Sequence, residues 1–177
     1  MSETLKKLKN DHRNVQILIE IIEKEIELFE NGERPDYELV RMILNYLLTY
    51  PDLHHHPLED AIVRKLKNID AVPGATELEF EHRKLSSTIR RFLAAINNIL
   101  TDDMLPRDWF CTIAVEFVTF FRKHMQMEEV VIFPAAQQSL SAADWADIDA
   151  QICHQEDPLF GPDPEADFAE LKARLNL

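Results

Sequence analysis

Residues 5–29 read Leu5-Lys-Lys-Leu8-Lys-Asn-Asp-His12-Arg-Asn-Val15-Gln-Ile-Leu-Ile19-Glu-Ile-Ile22-Glu-Lys-Glu-Ile26-Glu-Leu-Phe29. The set Leu5, Leu8, His12, Val15, Ile19, Ile22, Ile26, Phe29 alternates steps of three and four. That spacing makes one apolar stripe along a helix of seven turns, interrupted only by His12. Glu3, Glu20, Glu23, Glu25 and Glu27 belong to its solvated outer face. A helix of this kind buries its stripe against partners of the same kind.

Three such partners follow. Leu44, Leu48, Pro51, His55, Leu58, Ile62, Leu66 keep the same phase, though less regularly. Leu78, His82, Leu85, Ile89, Phe92, Ile96, Ile99 and then Phe110, Ile113, Phe117, Phe120, His124, Met127, Val131 complete the set. The turns between them fall at Asn31 to Asp36, Asn68 to Gly74 through Pro73, and Asp102 to Asp108 around Pro106. Four long amphipathic segments on short connections predict an all-α fold, an antiparallel up-and-down four-helix bundle spanning residues 1–140. Residues 141–177 read as a C-terminal extension packed on the bundle. In it Ser141 caps a short helix through Ile152, and a Pro-rich loop from Asp157 to Pro164 leads to a last amphipathic turn or two.

Composition narrows the function classes. The 177 residues carry 19 Lys+Arg against 32 Asp+Glu, a formal charge of −13, which opposes phosphate backbones and anionic lipid heads. Nucleic acid and membrane surfaces are therefore not the expected partners. No apolar run is long enough to span a bilayer and no signal-like h-region follows Met1, so the expectation is a soluble, cytoplasmic protein. Cys111 and Cys153 form no CxxC and read as free thiols. No nucleophile triad, phosphate loop or zinc-finger spacing is visible.

Each of the four stripes is broken by one histidine where a core residue belongs. Four buried imidazoles without partners would cost several kcal/mol, on the order of 2 or more for each unpaired polar group. A shared cation removes that penalty. At about 1.5 Å per residue, His12, His55, His82 and His124 each stand roughly 27 Å from one end of their helix, so all four fit one layer of the bundle. His55 and Glu59, and likewise His124 and Glu128, are one helical turn apart on one face. The ligand set is then His12, His55, Glu59, His82, His124 and Glu128, which suits two first-row ions bridged by the carboxylates better than one tetrahedral zinc.

Among the three consecutive histidines, the phase selects His55. His56 shares a face with Thr49, Asp52 and Asp60 and is expected to point outward, with His54 between the two faces. Pro51 and Pro57 complicate the choice, since each removes an amide hydrogen and kinks or restarts a helix. Glu81, Glu129 and Asp60 flank the ligands and read equally as carboxylates that orient imidazole N–H groups or as parts of solvated helix faces. Ile19, Phe92, Phe117 and Phe120 are candidate pocket walls, with plain core packing the stronger reading, and His154 reads either as a cap on the site or, more commonly for a tail histidine, as a solvated or surface-packed residue.

His12, the segment Tyr50-Pro-Asp-Leu-His-His-His-Pro-Leu-Glu-Asp60, Glu81-His82-Arg83, and His124-Met-Gln-Met-Glu-Glu-Val-Val-Ile-Phe-Pro134 resemble the hemerythrin-like, or HHE cation-binding, family over roughly residues 5 to 138. The resemblance implies a cofactor of two iron ions, a non-haem di-iron centre bridged by carboxylates and an oxo or hydroxo group. It implies the same six ligands, and a role in binding or reducing dioxygen, nitric oxide or peroxide in sensing, scavenging or stress response. The oxygen carriers of the family have a second ligand one turn from the first on the third helix, and an Asp ending the fourth-helix motif. Here those positions hold Ser86 and Glu128, closer to the bacterial di-iron proteins linked to nitrosative stress and iron-centre repair. A metal-storage or metal-sensing module with a structural ion is the alternative, and an exposed apolar face on helix one or four would suit a homodimer or another protein partner.

Overall fold

A computed structural model describes residues 2–69, 72, 74–101, 106–151, 156–162 and 165–177. Pro73, Cys153 and His154 lie outside the described residues, and so does Ile152, where the short tail helix was expected to end. The helices are α1 (Glu3–Glu30), α2 (Tyr37–Leu47), α3 (His56–Lys67), α4 (Leu78–Leu100), α5 (Arg107–Met127), α6 (Phe133–Ser139), α7 (Ala142–Gln151) and α8 (Ala169–Leu175). Among the described residues there is no strand, and no helix is long and apolar enough to cross a membrane.

Local chemistry sets the boundaries. Ser2 and Asp36 cap α1 and α2 by accepting from the amides of Leu5 and Leu39. Gly32, at φ +81°, supplies the left-handed residue that turns the chain after α1. The Arg107 guanidinium donates to the carbonyls of Phe29 and Glu30, tying the start of α5 to the end of α1.

Two of the expected long helices are widened in mid-course. Pro51–His55 and Glu128–Ile132 each form a π turn, closed by His56 N–H to the Pro51 carbonyl and by Phe133 N–H to the Glu128 carbonyl. In both places a proline, Pro57 or Pro134, stands second in the helix that follows. Proline has no N–H and its ring crowds the carbonyl four residues back, and one extra residue in the preceding turn relieves that crowding. The extra residue also shifts the buried face. Past Glu128 the core takes Ile132 and Phe133 rather than the expected Val131, which is only partly buried.

α1 contacts α2 and α5, and α4 contacts α2, α3 and α5. Their core lies in two apolar parts. One joins Val15 to Ile26, Val40 to Tyr50, Leu85 to Ile96 and Phe110 to Phe121; the other joins Leu5, Leu8, Leu58, Ile62, Leu66, Leu78, Ile132 and Phe133. The chain passes from one part to the other at His12, at His55 and His56, at His82 and at His124. The tail packs outside: α7 lies on α3, α8 on α2, and the buried Tyr46 hydroxyl donates to Asp157 at 2.8 Å.

Phe92 is buried against Phe110 and Phe117, whereas Phe80 is 60% exposed. Phe92→Ala should therefore cost about 3–5 kcal/mol in urea unfolding, and Phe80→Ala about 0.5 kcal/mol or less. Equal losses would contradict this division of the core.

Candidate metal centre

Between the two apolar parts lies a layer of buried polar side chains: His12, His55, His56, His82, His124, Glu59 and Glu128. All six residues expected from the sequence meet there. His56 is the correction: it is buried and stacked on His82 at 4.1 Å between centroids, not turned outward. The π turn at Pro51–His55 rotates the start of α3 so that two consecutive imidazoles face inward, which a uniform 3.6-residue phase does not allow. The one-turn pairs survive, with His55 Nε2 3.1 Å from Glu59 Oε1 and His124 Nε2 3.2 Å from Glu128 Oε1.

Each carboxylate faces both sides of the layer. Glu59 Oε1 lies 3.4 Å from His12 Nε2 as well as beside His55, while its Oε2 lies 3.3 Å from His82 Nε2. Glu128 Oε2 lies 3.5 Å from His12 Nε2, and its Oε1 lies 3.3 Å from His82 Nε2. Two ligand groups result, His12 with His55 and Glu59, and His56 with Glu59, His82 and His124. Glu59 belongs to both.

Every imidazole is held from behind. The Nδ1 atoms of His12, His55, His56, His82 and His124 lie 3.0–3.2 Å from carboxylate oxygens of Glu129, Asp11, Asp52, Asp60 and Glu81 respectively. A carboxylate accepts the Nδ1 proton and so fixes the tautomer whose Nε2 lone pair points into the layer. Glu81, Glu129 and Asp60 thus stand where the sequence suggested. The helical stripes do not reveal Asp11 and Asp52, although Asp52 and His56 form an i,i+4 pair that points to both residues. Ser86 donates to both oxygens of Asp52 and so anchors the support of His56. Asp11 is the most buried of the five and carries its own cation, Lys7, at 3.2 Å; Lys7 also bonds the Tyr50 hydroxyl.

The electrostatics show what the layer lacks. Burial opposes charge on His12, yet Glu129, Glu59 and Glu128 push it up to about 10. Against the same burial, Asp60, Glu128 and Glu59 push His82 up to about 12. Burial lowers His124 to about 3, with help from the charge of His82, and lowers His56 to about 4. Burial would raise Glu59, but the charge of His55 and the closeness of the His12, His55 and His82 imidazoles hold it well below the usual range. Burial and the charge of Glu59 raise Glu128 to about 7. Even so, both Glu59 oxygens and His124 Nε2 have no hydrogen-bond partner. Buried acceptors left without a full set of hydrogen bonds are costly unless a cation sits among them, so the donor set fits metal ions.

The adjoining cavity, about 20 Å³, is walled on its apolar side by Val15, Pro51, Phe121 and Met125. The candidate walls Ile19, Phe92, Phe117 and Phe120 are not among them. Phe92 and Phe117 pack in the larger core instead, Phe120 lies against His124 outside the cavity, and Ile19 lines a neighbouring cleft.

Among known proteins, no curated protein and no solved structure matches the chain. The family model for the hemerythrin HHE cation-binding domain matches residues 3–136, a span that contains every side chain of the layer and all five carboxylates behind it. The chain belongs to the hemerythrin HHE cation-binding family.

Proposed function

We propose that the chain is a non-haem di-iron protein that binds or reduces a small ligand, dioxygen, nitric oxide or peroxide. The observation that carries this reading is the set of five imidazoles, each with Nδ1 on its own carboxylate and Nε2 turned toward Glu59 and Glu128. His12 and His55 would hold one ion, and His56, His82 and His124 the other, with both carboxylates between them. His56 thereby joins the six ligands read from the sequence. Five nitrogen donors, two carboxylates and no thiolate suit iron among the redox-active first-row ions. The bundle is read as antiparallel and up-and-down over residues 1–140, with 141–177 an extension. The ring of contacts among the long helices supports this topology.

When bound, two irons supply Lewis acidity and electrons to a small ligand. The chain does the rest. The five outer carboxylates keep the imidazoles turned inward, and Val15, Pro51, Phe121 and Met125 keep bulk water out. A cavity of about 20 Å³ has room for little more than one water-sized guest, which excludes organic substrates of ordinary size.

Purified without a metal-affinity tag, the protein should contain about two irons per chain. Its visible spectrum should change on adding azide, peroxide or nitric oxide. Iron that answers none of them would move the reading to a storage or sensing module with a structural ion. His124→Ala and Glu59→Ala should abolish stoichiometric loading, while Asp11→Asn should weaken it about 10- to 100-fold.

Protons compete with metal for the same atoms. At pH 7 the metal-free layer holds a proton on the Nε2 side of His12 and His82, and on part of the Glu128 population. Binding must expel them, so metal affinity should rise as pH increases from 6 to 8. Titration calorimetry in buffers of different ionisation enthalpy should show net proton release. Heats independent of the buffer would contradict this charge assignment.

A further inference from the structure

Two spaces meet at one side chain. The inner one is the cavity of about 20 Å³ beside His12, His124 and Glu128. The outer one, about 150 Å³, lies in the groove between α1 and α5 and is lined by Gln16, Ile19, Arg122, Met125, Gln126 and Glu129. Met125 alone belongs to both linings. It is half-buried, its inner side against the metal layer and its outer side against a cleft whose rim residues Gln16, Arg122, Gln126 and Glu129 are exposed.

We propose that Met125 is the gate between this groove and the His12 side of the metal layer, and that the groove admits small uncharged ligands in preference to anions. The inference rests on the di-iron reading and adds to it the route and the charge of the ligand. An unbranched side chain with three rotatable bonds can swing aside by rotamer change alone, on a picosecond-to-nanosecond scale, without moving the helix. A β-branched or aromatic residue there would close the passage more firmly.

The two charged residues that line the groove, Arg122 and Glu129, are each held by a partner. Arg122 is held by Glu23, with Nε donating at 2.7 Å and Nη2 forming a second bond. Glu129 is held by Nδ1 of His12. Lys9 and Arg13 act on Glu129 from α1, so the repulsion comes from the chain as a whole, whose formal charge of −13 opposes an anion on approach. A neutral diatomic molecule does not meet that barrier.

The test uses the full iron-loaded chain in stopped-flow mixing with nitric oxide and with azide. Met125→Ala should raise both association rates about tenfold and Met125→Phe should lower both by a similar factor, with iron content unchanged. In the unmodified protein the azide rate should rise with ionic strength, as screening weakens the repulsion, and the nitric oxide rate should not. Rates within twofold of the unmodified protein in both variants would overturn the gate. An azide rate that falls with salt would overturn the charge preference. A second readout does not need reactive iron: crystals of Met125→Ala under xenon pressure should show xenon in the joined space, and those of the unmodified protein should not. If iron loads but answers neither ligand, the di-iron reading fails by itself, and absence of xenon from the variant then overturns the gate.

Discussion

Seven polar side chains sit where a helical core would ordinarily place leucines, and the rest of the structure is arranged around making that tolerable. Buried carboxylates and imidazoles are retained in a core only when each polar atom has a partner. Outward, every Nδ1 has one in a carboxylate from the bundle's own helices. Inward, both oxygens of Glu59 and the Nε2 of His124 have none. The fold therefore supports each imidazole from outside and leaves Glu59 and His124 with inward atoms that suit a cation. Part of the acidic excess has a local use in this arrangement, since Asp11, Asp52, Asp60, Glu81 and Glu129 each brace one ring.

The polar layer also divides the core. Apolar packing above it, around Phe92 and Phe117, and below it, around Leu58 and Phe133, holds the helices at the spacing that the layer requires. Precision in the layer comes from secondary structure rather than loops: every ligand side chain lies on a helix or at a π turn within one. Both π turns fall at ligands. Proline placement explains why, because Pro57 and Pro134 each force a widened turn just where His55, His56 and Glu128 must face inward.

The sequence carried the helical stripes, the depth of the four histidines and the two His-x-x-x-Glu pairs plainly, since these follow from a period of 3.6 residues and a rise of about 1.5 Å. Six of the seven layer residues were legible on those grounds. His56 was not, because a π turn adds one residue to the helical count and a phase carried through Pro51–His55 sends it to the wrong face. The same slip moved the buried position from Val131 to Ile132. Cavity walls were less legible still: Phe120 and Phe121 are neighbours on one helix, and only the packed structure shows which of them turns toward the layer. Asp11 lies next to His12 in sequence yet braces His55 across the bundle, a pairing that no local spacing encodes.

In the proposed site, five imidazoles and two carboxylates hold a pair of irons. Anomalous diffraction at the iron edge from crystals of the untagged protein tests it most directly. The account predicts two anomalous peaks, one beside His12 and His55 and one among His56, His82 and His124, both within bonding distance of Glu59 and Glu128. A single peak, or two peaks with the His56 imidazole outside the coordination of either, would contradict it.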